Sequence, residues 1–111
     1  MPEKAYKLIV HTPESHSEAL MDAIDSVMEP FYPGYRRCFS ISGCQGTWVP
    51  EEGSHPYLGT IGEIETADEV SIEFILREKD LRPVLRKIAE VHPYEEPAID
   101  VIPCFGWRSF L

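Results

Sequence analysis

Val70, Ile72, Phe74 and Leu76 alternate with Ser71 and Glu73, and no other stretch constrains the chain so tightly. Successive side chains on a strand point to opposite faces, so a two-residue apolar period marks a strand with one face buried. The same period runs through Ala5 to His11, with Tyr6, Leu8 and Val10 on one face and Lys7 and His11 on the other. Between these strands the period changes to that of a helix. Leu20, Ala23, Ile24, Val27 and Met28 share one face, opposite Glu18, Asp22 and Asp25. Thr12 and Pro13 suit the start of that helix, and Pro30 with Pro33-Gly34 suits its end.

Arg37 to Ser42 reads as a strand with Phe39 and Ile41 on one face. Gly43-Cys44-Gln45-Gly46 reads as a turn, and Thr47-Trp48-Val49 as the returning strand of a hairpin. Glu51 to Gly62 is a long loop, and long ordered loops often bind something or cover an interface. A second helix carries Leu81, Val84, Leu85 and Ile88 on its buried stripe. Asp80 is its expected cap, Pro83 falls in its first turn and His92-Pro93 stops it. Ala98 to Ile102 is the last strand, followed by an apolar tail over residues 103–111.

That order predicts one α+β domain over residues 1–111, with a core from about 4 to 102. Two right-handed crossovers place both helices on one face of an antiparallel sheet, the ferredoxin-like β-α-β-β-α-β arrangement. Ile9, Cys38, Ile75 and Ile102 are expected on the other face. An apolar second face on so small a domain predicts a homo-oligomer, dimer or trimer, that covers it.

Composition removes several classes of function. The net charge of −9 repels a phosphate backbone, so no nucleic-acid partner is expected. The Arg36-Arg37 pair suffices for no more than a local anion contact. No apolar run is long enough for a membrane span. Met1-Pro2-Glu3-Lys4 lacks the features of a signal peptide, so a cytoplasmic location is expected. Cys38, Cys44 and Cys104 fit neither a disulfide framework nor a zinc ribbon and read as free thiols.

His92-Pro93-Tyr94-Glu95-Glu96-Pro97 sets an imidazole, a phenol and two carboxylates between prolines that hold the chain extended. With Ala98, this segment resembles the signature of the domain inserted in the middle of NIF-three-like (NGG-one-interacting-factor-three) proteins. The resemblance extends to Tyr35 with Cys38, Gln45-Gly46 with Pro50, Gly53 with Pro56, and Gly59 with Gly62 and Glu63. It covers about Lys4 to Ile102. It departs at Cys44, where the family commonly has glycine, and after Cys104, where the tail has no counterpart. The resemblance implies a stand-alone form of that domain, similar in fold to CutA divalent-cation-tolerance proteins and PII signal proteins, and it implies self-association. It also implies that the family's dinuclear metal centre lies in flanking halves, so no hydrolase or cyclohydrolase activity is carried over.

The expected function is therefore a non-catalytic, oligomeric binding or regulatory domain, with no catalytic residue assigned and the cofactor-binding residues open. The alternative is a CutA-like protein that binds a divalent or transition metal. Its ligands would come from His92, Glu95, Glu96 and Cys44, with His55 and His11 elsewhere. Glu95 and Glu96 are adjacent, so an extended backbone sends them to opposite faces. The bland reading of His92 is a cation that closes the helix C-terminus. Acid–base catalysis by the two glutamates lacks a visible cleft, and a nucleophilic cysteine lacks a basic partner on its own face. Gly43 to Gly46 has no following Lys-Ser/Thr and is not a phosphate loop. His55-Pro56-Tyr57 would suit a small-molecule site between subunits or a docking loop for a partner protein.

Overall fold

A computed structural model describes residues 4–111. Met1, Pro2 and Glu3, expected to lead directly into the first strand, lie outside the described residues. The elements are β1 (Lys4–Thr12), α1 (Glu14–Ser26), β2 (Ser40–Trp48), β3 (Glu65–Arg77), α2 (Glu78–Val91), β4 (Ile99–Phe105) and a closing 3-10 turn, Trp107–Phe110. The strands form one sheet in the order β2-β3-β1-β4, with every neighbouring pair antiparallel. This is the expected ferredoxin-like arrangement.

Register explains the core. Tyr6 faces Leu76, Leu8 faces Phe74 and Val10 faces Ile72, so both alternating strands present apolar side chains on the same face. Leu20, Met21 and Ile24 of α1 and Val84 and Ile88 of α2 close over that face. Leu8, Val10, Ile24, Ile72, Leu76, Val84 and Ile88 retain no exposure. Each such side chain contributes about 1.5–3 kcal/mol through burial.

The predicted Gly43–Gly46 turn is absent. Ser40 to Trp48 is one continuous strand whose partners run from Glu73 to Glu65. The real hairpin joins β2 to β3 through residues 49–64. β3 accordingly begins five residues before the alternation read from sequence. Nor does β2 begin at Arg37, which has φ 59 and is the sole non-glycine residue with positive φ among those described. A left-handed residue cannot continue a strand. Arg37 pairs instead with Asp22 and Glu18, and Arg36 pairs with Asp25, all on α1. Those intramolecular partners take up the anion contact that the pair was expected to offer.

Helix starts also differ. Pro13 occupies the N-cap position of α1, while fully buried Thr12 remains in β1. α2 begins at Glu78, so Asp80 lies inside its first turn, and its carboxylate accepts the Glu29 N–H at 3.2 Å. Pro83 lies deeper in α2 than expected, at the sixth residue from its start. β4 continues through Pro103 to Phe105 because it is an edge strand, where a missing N–H breaks no inner ladder.

On the sheet face away from the helices, Ile9, Ile75 and Ile102 are present as expected. Cys38 is not, because it precedes β2 and its thiol points to the carbonyls of Tyr35 and Arg36. The face is not uniformly apolar. The Lys7–Glu73 ion pair at 3.4 Å crosses it, and Ser40, Ser42 and Ser71 lie on the β2 side. No helix among the described residues is long and apolar enough to cross a membrane.

Candidate functional site

The open face changes character where β1 ends. Residues His11, Glu69 and Cys44 lie on three adjacent strands, and Cys44 and Glu69 are directly paired in register. The 92–97 segment leaves α2 here and crosses the sheet end before entering β4. His92 anchors that crossing. It is buried, its Nε2 lies 2.7 Å from the His11 carbonyl oxygen, and its Nδ1 accepts the Tyr94 N–H at 3.1 Å. A carbonyl only accepts and an N–H only donates, so the ring is the neutral Nε2–H tautomer. Burial holds its pKa below the usual imidazole value of 6.5. The expected cation at the helix end is therefore a neutral joint between α2 and β1.

Tyr94 follows from that joint. Its hydroxyl donates to Glu69 Oε2 at 2.7 Å. Burial first, and then this carboxylate, hold the phenol well above its ordinary pKa of 10.0. Glu69 is only 6% exposed, and Gly46 makes room for it. A Cβ on Gly46 would lie 2.2 Å from Glu69 Oε1, well inside contact distance. Gly46 is thus a strand residue whose missing side chain creates a berth for a buried carboxylate, which accounts for the glycine better than a turn does. Gly46→Ala is expected to push Glu69 off Tyr94 and cost about 1–3 kcal/mol. Combined with Tyr94→Phe, the two losses should overlap and sum to less than their separate costs, measured by urea denaturation of both single variants and the double variant.

The 49–64 loop forms the opposite wall. The Gly62 N–H closes it onto the Pro50 carbonyl at 2.8 Å. Trp48 Nε1 donates to the Leu58 carbonyl at 3.2 Å, and the His55 N–H donates to Glu95 Oε2 at 2.6 Å. Gly59 adopts φ +114, and a Cβ there would lie 3.1 Å from Pro50 Cγ and 3.4 Å from the Trp48 indole nitrogen, so the turn suits a residue without a side chain. The loop is therefore stitched both to β2 and to the signature segment.

Between the walls is an open cleft of about 620 Å3. Trp48 and Tyr57 both pack against Tyr94, with ring centroids 5.5 and 5.9 Å away. Glu51, Glu69, Glu95 and Glu96 bring four carboxylates to the lining, and among the described residues no lysine or arginine lines it.

The metal candidates from sequence are distributed rather than assembled. His92 has both ring nitrogens engaged, Glu95 is engaged with the loop and Glu96 is exposed. His55 contributes its backbone N–H. Cys44 is instead grouped with His11 and Glu69, and the ligand atoms of these three lie within 4.8 Å of one another. Burial, and secondarily Glu69, push the Cys44 thiol above its ordinary pKa. Glu69 falls outside the set of donors legible in the sequence because the apolar alternation begins only at Val70. Continuing the two-residue period back from Ser71 would have set it on the open face.

No family model matches the chain. Over 101 residues the chain is 36% identical to a GTP cyclohydrolase 1 type 2 homolog of Halalkalibacterium halodurans, covering 91% of this chain and 27% of that protein. A crystal structure of a Bacillus cereus protein related to NIF3 superposes with a TM-score of 0.79 at 33% identity, covering 94% of this chain and 26% of that one. The chain thus spans about a quarter of the length of these relatives. The periplasmic divalent cation tolerance protein CutA of Archaeoglobus fulgidus superposes with a TM-score of 0.69 at 19% identity, covering 96% of this chain and 91% of that one. For Bacillus subtilis GlnK the TM-score is 0.61 at 14% identity, with coverage of 92% and 86%. At those identities the likeness to CutA and GlnK is one of fold.

Proposed function

The chain is homologous to the central region of GTP cyclohydrolase 1 type 2 homologs, proteins related to NIF3, and on that footing we propose that it is a non-catalytic, self-associating binding domain. The cleft between the 49–64 loop and the His92–Pro97 signature is its ligand site. The observation that carries this reading is a cleft with three aromatic rings and four carboxylates and, among the described residues, without a lysine or arginine in its lining. Such a lining repels phosphates and carboxylates. It favours a flat cation, held by ring faces and by charge-assisted hydrogen bonds.

The chemistry of the groups supports binding over catalysis. A general acid or base works best with a pKa near the ambient pH. The Tyr94 phenol and the Cys44 thiol are both pushed upward, so at neutral pH both keep their protons. His92 is committed on both nitrogens.

Self-association is supported by exposed apolar side chains on the open face and beyond it at the end of β4. Ile102 is 43% exposed, and Phe105, Trp107 and Phe110 stand in solvent at the end of β4. A second reading, a protein that binds a divalent or transition metal, is favoured by the His11–Cys44–Glu69 group alone.

Benzamidine, an aromatic cation, tests the first reading against benzoate, its anionic counterpart. In a Trp107→Phe background, Trp48 is the remaining tryptophan. Benzamidine is expected to change its fluorescence saturably and benzoate is not. Equal responses, or none, contradict the proposal.

A further inference from the structure

We propose that His11, Cys44 and Glu69 form a site for a zinc-like transition-metal ion at the floor of the open sheet face, with Tyr94 as its positioning residue. The three come from β1, β2 and β3, so the sheet register, rather than a flexible loop, brings them together. Cys44 and Glu69 are directly opposite, and Glu69 lies one pleat from Ser71, the partner of His11. Diagonal neighbours on one sheet face are within reach of long side chains.

The donor set has the right chemistry. Thiolate, imidazole and carboxylate are the three ligand types zinc accepts, and three protein ligands leave a fourth position for water or another molecule. At ordinary zinc–ligand lengths, tetrahedral donor atoms are about 3.3–3.8 Å apart. The present group lies within 4.8 Å, so it closes on an ion by side-chain adjustments of about 1 Å.

A second observation separates this group from a chance cluster. Among the described residues, neither the His11 ring nor the Cys44 thiol has a hydrogen-bond partner. Glu69, by contrast, is held from behind by Tyr94. Tyr94 occupies Oε2 and leaves Oε1 over Gly46. A carboxylate fixed by a neighbour's hydrogen bond while its other oxygen remains available is the usual outer-shell arrangement of a metal ligand. His11 and Glu69 also line the aromatic cleft, and Cys44 with Glu69 lines the adjoining recess, so solvent reaches the group from two sides.

Binding would replace the Cys44 S–H bond by a sulfur–metal bond and release that proton to water. The site rests on the second, metal-binding reading and shares His11 and Glu69 with the cleft, but its test reads a cysteine-dependent band and that of the aromatic-cation reading a tryptophan response in the absence of metal, so the two can fail separately.

The test is titration of metal-free, fully reduced protein with Co2+, read by calorimetry and by the thiolate-to-cobalt charge-transfer absorption. One ion per chain and a charge-transfer band are expected. Cys44→Ser should remove the band, while joint replacement of Cys38 and Cys104 by serine should preserve it. Tyr94→Phe leaves all three ligands in place and should weaken affinity by about 10–100-fold. His11→Ala, checked for folding by circular dichroism, covers the case in which Cys44→Ser fails to fold. Absence of a band overturns the proposal. So does a band that survives Cys44→Ser, or an affinity unchanged by His11→Ala.

Discussion

Leu8→Ala is expected to destabilise the domain by about 2–5 kcal/mol, the range for truncating a fully buried leucine. Leu8 lies on β1, a central strand with β3 on one side and β4 on the other. Its direct neighbours are Phe74 and Val101, and it retains no exposure. Neither the two flanking strands nor the helices above can move inward without losing register elsewhere, so the cavity persists and its cost adds to the lost transfer energy. A domain of this size has about 5–15 kcal/mol in total, so a third of it is at stake. The melting temperature should fall by about 10–20 °C. Ile102→Ala is the control, on the opposite face and 43% exposed. In an isolated chain it should cost about 0.5 kcal/mol or less, with any larger cost growing with protein concentration as copies cover that face. Urea denaturation of both variants at two concentrations measures the contrast. Equal costs at high dilution would mean that the core does not lie between sheet and helices.

Stability should fall as the solution is acidified, and His92 should be a principal cause. Its folded-state pKa lies below the usual imidazole value of 6.5 because burial penalises the charged ring. Above 6.5 the ring is neutral both folded and unfolded, and the joint is intact. As pH falls below 6.5, the unfolded chain takes up a proton that the folded chain resists. The loss continues until pH passes the lowered folded value. Its slope approaches about 1.4 kcal/mol per pH unit for one proton. There is a structural cost as well, because a protonated ring donates from both nitrogens and cannot accept the Tyr94 N–H. His92→Gln isolates the effect. A glutamine amide donates to one partner and accepts from the other without titrating. Denaturation curves from neutral pH to about pH 5 should be steeper in pH for the native sequence than for His92→Gln. Parallel curves would show that folding leaves the His92 pKa unchanged, which contradicts a buried neutral joint.

The parts of the fold that were legible in the sequence are those set by burial on one side. Tyr6-Leu8-Val10 and Val70-Ile72-Phe74-Leu76 alternate because one face meets the helices, and Leu81, Val84, Leu85 and Ile88 mark the helix that meets them. β2 is poorly legible in the sequence because it is an edge strand with little to bury. Its Gly43 and Gly46 look like turn punctuation, whereas Gly46 serves a carboxylate 23 residues later in the chain. Pro103 likewise looked like the end of β4, although an edge strand tolerates it. The signature from His92 to Pro97 was legible as a unit of unusual composition. Its partners were not. The contacts of Tyr94 with Glu69 and of Glu95 with the His55 amide depend on register and loop closure, which alternation alone does not specify. Cys44 and His11 were visible as donors, but a one-residue slip in either strand would have sent them to opposite faces.

The most direct test of the binding-domain account is a backbone amide NMR titration of the full chain with benzamidine. The account predicts saturable shifts concentrated at Trp48, His55, Tyr57, Tyr94 and Glu95, with the helix amides of α1 and α2 unmoved. No saturable shift, or shifts centred on the helices, would contradict it.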